Sequence, residues 1–105
     1  MVIKETTIFT ELIVDLMDDN EYSKLQSILV INPKAGPVIK GTGGLRKLRW
    51  GYQNKGKRSG LRIIYYSIGA EDQIYMLLIY KKSEQTDLTA EEKKFLKRLV
   101  EEENK

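Results

Sequence analysis

Apolar residues along the chain follow helical spacing near both ends and strand-like spacing in the middle. A short apolar strand is predicted at residues 2–4. Thr6 or Thr7 then provides an N-cap for a first helix. The buried face of this helix is predicted from apolar residues three and four apart, namely Phe9, Leu12, Ile13 and Leu16.

Two further helices begin with the spacing of a capping box, in which a capping residue is followed three positions later by Glu. Asp18 and Glu21 predict a second helix that ends near residue 32, because Pro33 disfavours helical geometry in the residue before it. Thr89 and Glu92 predict a third helix near the C-terminus. The apolar stripes of these helices are Tyr22, Leu25, Ile28 and Leu29, and Phe95, Leu96, Leu99 and Val100.

The middle of the chain, which holds both prolines and all eight glycines, is predicted to form strands and turns. We expect a short edge strand at 37–40, a plain turn at 41–44, a hairpin loop at 52–60, and long strands at 45–51, 61–68 and 73–81. In the strand at 45–51, alternation places Lys47 and Arg49 on the face opposite Leu48 and Trp50. In the last strand, it predicts one face for Ile74, Met76, Leu78, Tyr80 and Lys82.

These elements predict a single α+β domain over residues 1–105. We expect an antiparallel-rich sheet of four to five strands, with the two N-terminal helices packed on one face and a C-terminal helix. The longest apolar run, at 74–80, is too short to span a bilayer, and residues 1–12 have no apolar core of signal length. The expected location is therefore the cytoplasm, without a membrane partner.

Charge is distributed unevenly along the chain. Residues 22–70 contain ten Lys and Arg and no Asp or Glu, whereas the other eight basic residues share the rest of the chain with all 15 acidic ones. A run of one charge sign is often only a solvated face. Here, however, several of the basic residues lie inside predicted strands, which would aim them together at a polyanion.

The absence of two residue types limits the chemistry. The chain has no Cys and no His, which excludes thiol nucleophiles, imidazole bases and the metal sites built from either ligand. RNA cleavage needs none of these, because the 2′-OH of RNA is the nucleophile. The reaction needs a base, cations that stabilise charge on phosphorus, and an acid for the 5′-oxygen. We expect no metal ion and no cofactor.

Four cations are the candidate catalytic residues. Lys47 and Arg49 share one strand face, Arg62 lies across the predicted hairpin, and Lys82 follows the last strand. A crowded lysine can act as a base, whereas Arg suits charge stabilisation. The predicted RNA-binding residues are Arg46, Lys55, Lys57, Arg58 and Tyr80. Tyr80, Tyr66 and Tyr52 are available to stack on bases, although Tyr65, Tyr66 and Tyr75 fit core packing better.

A set of motifs resembles a known family. The strand segments read GTGGLRKLRW from Gly41, GKRSGLRIIYY from Gly56 and IYKKSEQTDLT from Ile79. Together with TIFT from Thr7, DNEY from Asp19 and NPKAG from Asn32, they resemble the HigB branch of the RelE superfamily of bacterial toxins. The likeness covers nearly the whole chain.

This resemblance implies a ribosome-dependent endoribonuclease, the toxin of a type II toxin-antitoxin system, that cuts mRNA in the 30S A site. It implies a cognate helix-turn-helix antitoxin as partner, with operator DNA contacted only through that antitoxin. Matched by position, Lys47 and Arg49 would supply the base and a phosphate contact, and Arg62 would stabilise the transition state. Lys82 would stabilise charge or protonate the leaving group. Leu88 stands where RelE has a tyrosine.

Two other functions are compatible with the same fold. ParE-like relatives poison DNA gyrase and cut no RNA, and fold alone does not separate them from the nucleases. A non-catalytic RNA- or ribosome-binding protein is the second alternative. Cations on the sheet favour the nuclease function, because a surface that binds gyrase does not need to bind a phosphate group.

Overall fold

The computed structural model of the chain describes residues 1–51, 60–69 and 72–103. The elements, in chain order, are β1 (Val2–Glu5), α1 (Thr7–Leu16), α2 (Asp19–Ile31), β2 (Arg46–Trp50), β3 (Leu61–Ile68), β4 (Gln73–Lys81) and α3 (Ala90–Glu103). Among the described residues, no helix has both the length and the apolar character needed to cross a bilayer.

The four strands form one mixed sheet in the order β1-β4-β3-β2. The pairs β2·β3 and β3·β4 are antiparallel, whereas β1 runs parallel to β4. The predicted α+β class is therefore confirmed. The predicted edge strand at 37–40 reduces to one isolated bridge between Val38 and Arg46. Pro37 has no N–H to extend the pairing, and Gly41 turns the chain away at a φ of 77°.

Helix N-caps form where the sequence predicts them. The Asp18 carboxylate accepts a hydrogen bond from the Glu21 N–H at 2.8 Å and begins α2. At α3 the capping box is complete, because Thr89 Oγ1 accepts from the Glu92 N–H at 3.0 Å and Glu92 Oε1 accepts from the Thr89 N–H at 2.9 Å. These contacts satisfy N–H groups that have no partner within the helix.

Both faces of the sheet are covered, and β3 contributes to two separate apolar cores. Ile63 and Tyr65 belong to the first core, which includes buried residues of α1 and α2 such as Phe9 and Leu25. Ile64, between them, belongs to the second core, which includes Leu96 and Val100 of α3. Helix α3 thus covers the face opposite α1 and α2. Burial on both faces explains the nearly continuous apolar sequence of β3.

A β-bulge in β4 changes which side chains share a face. Ile64 pairs with Leu78 and the next residue, Tyr65, pairs with Met76, so that Leu77 is an extra residue on β4. The predicted single face from Ile74 to Lys82 was therefore wrong. Ile74 and Met76 face the first core, whereas Leu78 and Tyr80 face the second.

Thr6 holds the bulge and the start of α1 together. Its buried hydroxyl donates to the Leu77 carbonyl at 2.8 Å and accepts from the Phe9 N–H at 3.0 Å. Its own N–H donates to the Met76 carbonyl at 3.0 Å. One residue thus caps a helix and satisfies the carbonyls of the bulged residue Leu77 and of Met76 before it.

We expect Thr6→Val to lower the free energy of unfolding by about 1–3 kcal/mol, because valine keeps the shape but removes the cap and leaves the Leu77 carbonyl unpaired. Urea denaturation measures the change. Thr7→Val is the matched control, because Thr7 is exposed in the first turn of α1; its effect should stay within about 0.5 kcal/mol. Equal effects of the two substitutions would contradict the role given to Thr6.

Candidate phosphate-binding site

Three polar side chains form a row across the sheet. In the strand register, Arg49 of β2 pairs with Arg62 of β3, and Arg62 pairs with Tyr80 of β4. Arg62 and Tyr80 face the side of the second core, because they alternate with Ile63 and Ile79 of the first. Directly opposed residues have Cβ atoms about 4.5–5.5 Å apart. Two arginines are therefore neighbours, an arrangement that is repulsive unless an anion lies between them.

Arg62 is a buried cation without a described acidic partner. Its residue is 8% exposed, and Nη1 donates to the Leu61 main-chain carbonyl at 3.1 Å. Within residues 1–51, 60–69 and 72–103, no carboxylate forms an ion pair with it. By contrast, the buried Glu21 accepts from Trp50 Nε1 at 2.9 Å and pairs with Lys24. Buried charges are normally paired in this way, so Arg62 is suited to receive an anion.

Tyr80 contributes a hydroxyl, not an open ring face. The residue is 6% exposed and its ring packs in the second core, which corrects the expectation that the ring stacks on bases. In the described part of the chain, its hydroxyl has no hydrogen-bond partner. Burial raises the pKa of the Tyr80 phenol; Asp87 and Glu92 raise it further, and Arg62 opposes them. The hydroxyl therefore stays protonated and able to donate at neutral pH.

The other tyrosines named from the sequence differ in their surroundings. Tyr66 is half-buried and packs against the second core, so its ring is only partly open for stacking. Tyr65 is fully buried in the first core, as predicted. Tyr52 lies outside the described residues.

Lys47 faces the same side as Arg49 and forms an ion pair. Its Nζ lies 2.8 Å from Asp87 Oδ1. The hydrogen bond and the charge of Lys47 lower the pKa of Asp87, so the pair persists at acid pH until that lowered pKa is crossed. The ammonium of Lys47 already binds a carboxylate oxygen in this ion pair, which suits it to a contact with a phosphate oxygen. Because the Asp87 side chain is exposed, a phosphate can replace it.

Lys82 lies at the same end of the sheet as the row. It follows the last residue of β4, and its N–H donates to the Gly60 carbonyl at 3.0 Å, next to the start of β3. Its side chain is exposed. Lys82 is therefore positioned near the edge of the row and not within it.

Arg46 lies on the opposite face from the other cations. Its Nη1 donates to the Gly36 carbonyl at 2.8 Å, and the Gly36 N–H donates to the Tyr65 hydroxyl. Arg46 thus fastens the loop after α2 against the first core, which separates it from the predicted RNA-binding surface. Lys55, Lys57 and Arg58 lie outside the described residues, and their part in RNA binding stays a prediction.

Asp87 is a residue of this surface that the sequence pattern does not predict. The contact with Lys47 joins residues 40 positions apart, and no local spacing marks it. The turn at 82–89 carries Asp87 from β4 back toward β2, which only the folded chain shows.

No model of a known protein family matches the chain. Within the described ranges, no group of three or more Asp or Glu side chains is arranged to hold a metal ion. The arrangement that distinguishes this surface is the row of Arg49, Arg62 and Tyr80, with Lys47 beside it.

We expect Asp87→Asn to strengthen binding to single-stranded RNA and to steepen its salt dependence, because Lys47 becomes available to phosphate. One added phosphate contact steepens the log–log slope by about 0.7 for a single strand. Fluorescence anisotropy across a salt series measures it. Glu84→Gln is the matched control, because it makes the same charge change at an exposed carboxylate 4.0 Å from Lys81. An identical response from both variants would contradict the role of Asp87.

Proposed function

We propose that the protein is a ribosome-dependent endoribonuclease that cleaves mRNA in the A site. The observation that carries the proposal is the buried Arg62 guanidinium, which has no described carboxylate partner and lies in register with Arg49 and the Tyr80 hydroxyl. Such a row fits one phosphate group, with positive charge on one side and a neutral donor on the other. The motifs from Gly41, Gly56 and Ile79 support the same function by resemblance.

In the proposed reaction, the 2′-oxygen forms a bond to phosphorus while the bond between phosphorus and the 5′-oxygen breaks. Negative charge grows on the non-bridging oxygens, where Arg62 and Arg49 stabilise it. Arg cannot readily release a proton, so these residues act as cations only. The 2′-OH proton passes to a solvent water as the new bond forms. Lys47 contacts the phosphate after leaving Asp87. Lys82 supplies the proton that the 5′-oxygen takes up and regains a proton from solvent.

The proposed partners follow from the family resemblance and from charge. The acid-free stretch at 22–70 favours a ribosomal surface rich in phosphate. A helix-turn-helix antitoxin would neutralise the toxin in the cytoplasm, and operator DNA would be reached only through that antitoxin.

Primer extension on a reporter mRNA in a bacterial translation reaction tests the proposal. We expect new ends inside the reading frame, only when ribosomes are present. Arg49→Ala is the first variant, because Arg49 is exposed and its loss should not disturb the core. Loss of one donor to the transition state should slow cleavage by about 10²–10³-fold. Arg62→Lys keeps the positive charge but loses the planar guanidinium group and its paired N–H donors, so it should slow cleavage as well.

Arg98→Ala is the matched control, because Arg98 is an exposed arginine on α3. It should cleave at the unaltered rate. Absence of new ends with pure, folded protein would overturn the nuclease proposal, and equal loss in the Arg49 and Arg98 variants would overturn the proposed site.

A further inference from the structure

The Tyr80 hydroxyl differs from that of the other fully packed tyrosine on the sheet. Tyr65 donates its hydroxyl proton to the Pro33 carbonyl at 2.7 Å and accepts from the Gly36 N–H at 2.9 Å. The Tyr80 hydroxyl is also buried but has no partner among the described residues. Leaving a buried hydroxyl unpaired costs free energy, and phenylalanine would fill the same space without that cost.

The surroundings of this hydroxyl indicate what it is suited to bind. Tyr80 is the cross-strand neighbour of Arg62, and Arg49 lies on the other side of Arg62. The charged groups that act on the phenol are Arg62 and the carboxylates of Asp87 and Glu92. The Glu92 carboxylate accepts hydrogen bonds from the Thr89 N–H and from Gln85 Nε2. The Asp87 side chain, by contrast, is exposed and pairs only with Lys47 among the described residues. A donor beside a cation fits an oxygen of an anion.

We infer that the Tyr80 hydroxyl donates a hydrogen bond to a non-bridging oxygen of the scissile phosphate, which the neighbouring Arg62 binds through its guanidinium group. This inference rests on the proposed function and makes Tyr80 a catalytic residue, not a base-stacking platform. The phosphate approaches past Asp87 when it replaces that carboxylate at Lys47. Tyr80 transfers no proton in the reaction; it stabilises the charge that grows on the oxygen.

Tyr80→Phe tests the inference, because it removes one oxygen and keeps the ring in the second core. Without ligand, the variant should melt at the same temperature as the unaltered protein or higher, since an unpaired polar group is gone. Inorganic phosphate, compared with chloride at equal ionic strength, should raise the melting temperature of the unaltered protein. That rise should be smaller in Tyr80→Phe. The cleavage rate on ribosomes should fall by about 10²-fold, without a change in the shape of its pH profile.

Tyr65→Phe is the matched control, because it removes a paired hydroxyl on the opposite face. It should lower the melting temperature but keep the full response to phosphate and the full cleavage rate. Tyr80→Phe is expected to keep its melting temperature and lose activity, whereas Tyr65→Phe is expected to lose melting temperature and keep activity. A loss of packing alone would not produce these opposite results.

The two measurements separate the inference from the proposed function. If the unaltered protein cleaves and Tyr80→Phe cleaves equally fast, with an equal phosphate response, the inference is overturned and the nuclease proposal stands. If no protein cleaves but the phosphate response depends on Tyr80, the nuclease proposal fails and the contact between Tyr80 and phosphate is supported. A shifted pH profile in Tyr80→Phe would overturn the claim that Tyr80 transfers no proton.

Discussion

Arg62 places a positive charge on an inner strand of the sheet, where the residue is 8% exposed and donates to a main-chain carbonyl. Removing an ion from water costs several kcal/mol unless another charge compensates it. No described carboxylate compensates the charge of Arg62, and its neighbour on β2 is a second arginine, Arg49. The folded protein therefore carries an electrostatic cost at this point that a bound anion would offset.

The position of the row depends on contacts made far from it. Side chains alternate along a strand, so a shift of one residue turns every later side chain to the other face. Without Leu77 as the extra residue of the bulge, Ile79 would enter the row and Tyr80 would turn toward the first core. Thr6 donates to the Leu77 carbonyl and so holds the bulge in place. A residue at the N-terminal end of α1 thereby stabilises the bulge that places Tyr80 beside Arg62.

Much of this arrangement can be predicted from local sequence. Helix caps at Asp18 and Thr89 follow from spacing alone, and the alternation of Lys47 and Arg49 with Leu48 and Trp50 places the cations on one face. These features depend on neighbours within a few residues. The function proposed for this surface draws on the resemblance between motifs and stays a proposal.

Other features depend on contacts between distant parts of the chain, and local patterns do not contain them. Nothing in the apolar run of β4 marks Leu77 as a bulge. Arg46 looks like its basic neighbours, yet it faces the first core, where the Gly36 carbonyl accepts its hydrogen bond. The pairing of Lys47 with Asp87 joins β2 to the turn before α3. The unpaired hydroxyl of Tyr80 is likewise visible only once the core around it is known.

NMR of the arginine Nε–Hε groups would show whether the row of Arg49, Arg62 and Tyr80 binds a phosphate group. The ligand would be a short RNA with one 2′-deoxy nucleotide, which cannot be cut at that position. We expect the signals of Arg49 and Arg62 to shift together as RNA is added, while that of Arg98 on α3 does not. Shifts that are equal at all three arginines, or that spare Arg62, would contradict phosphate binding by the row.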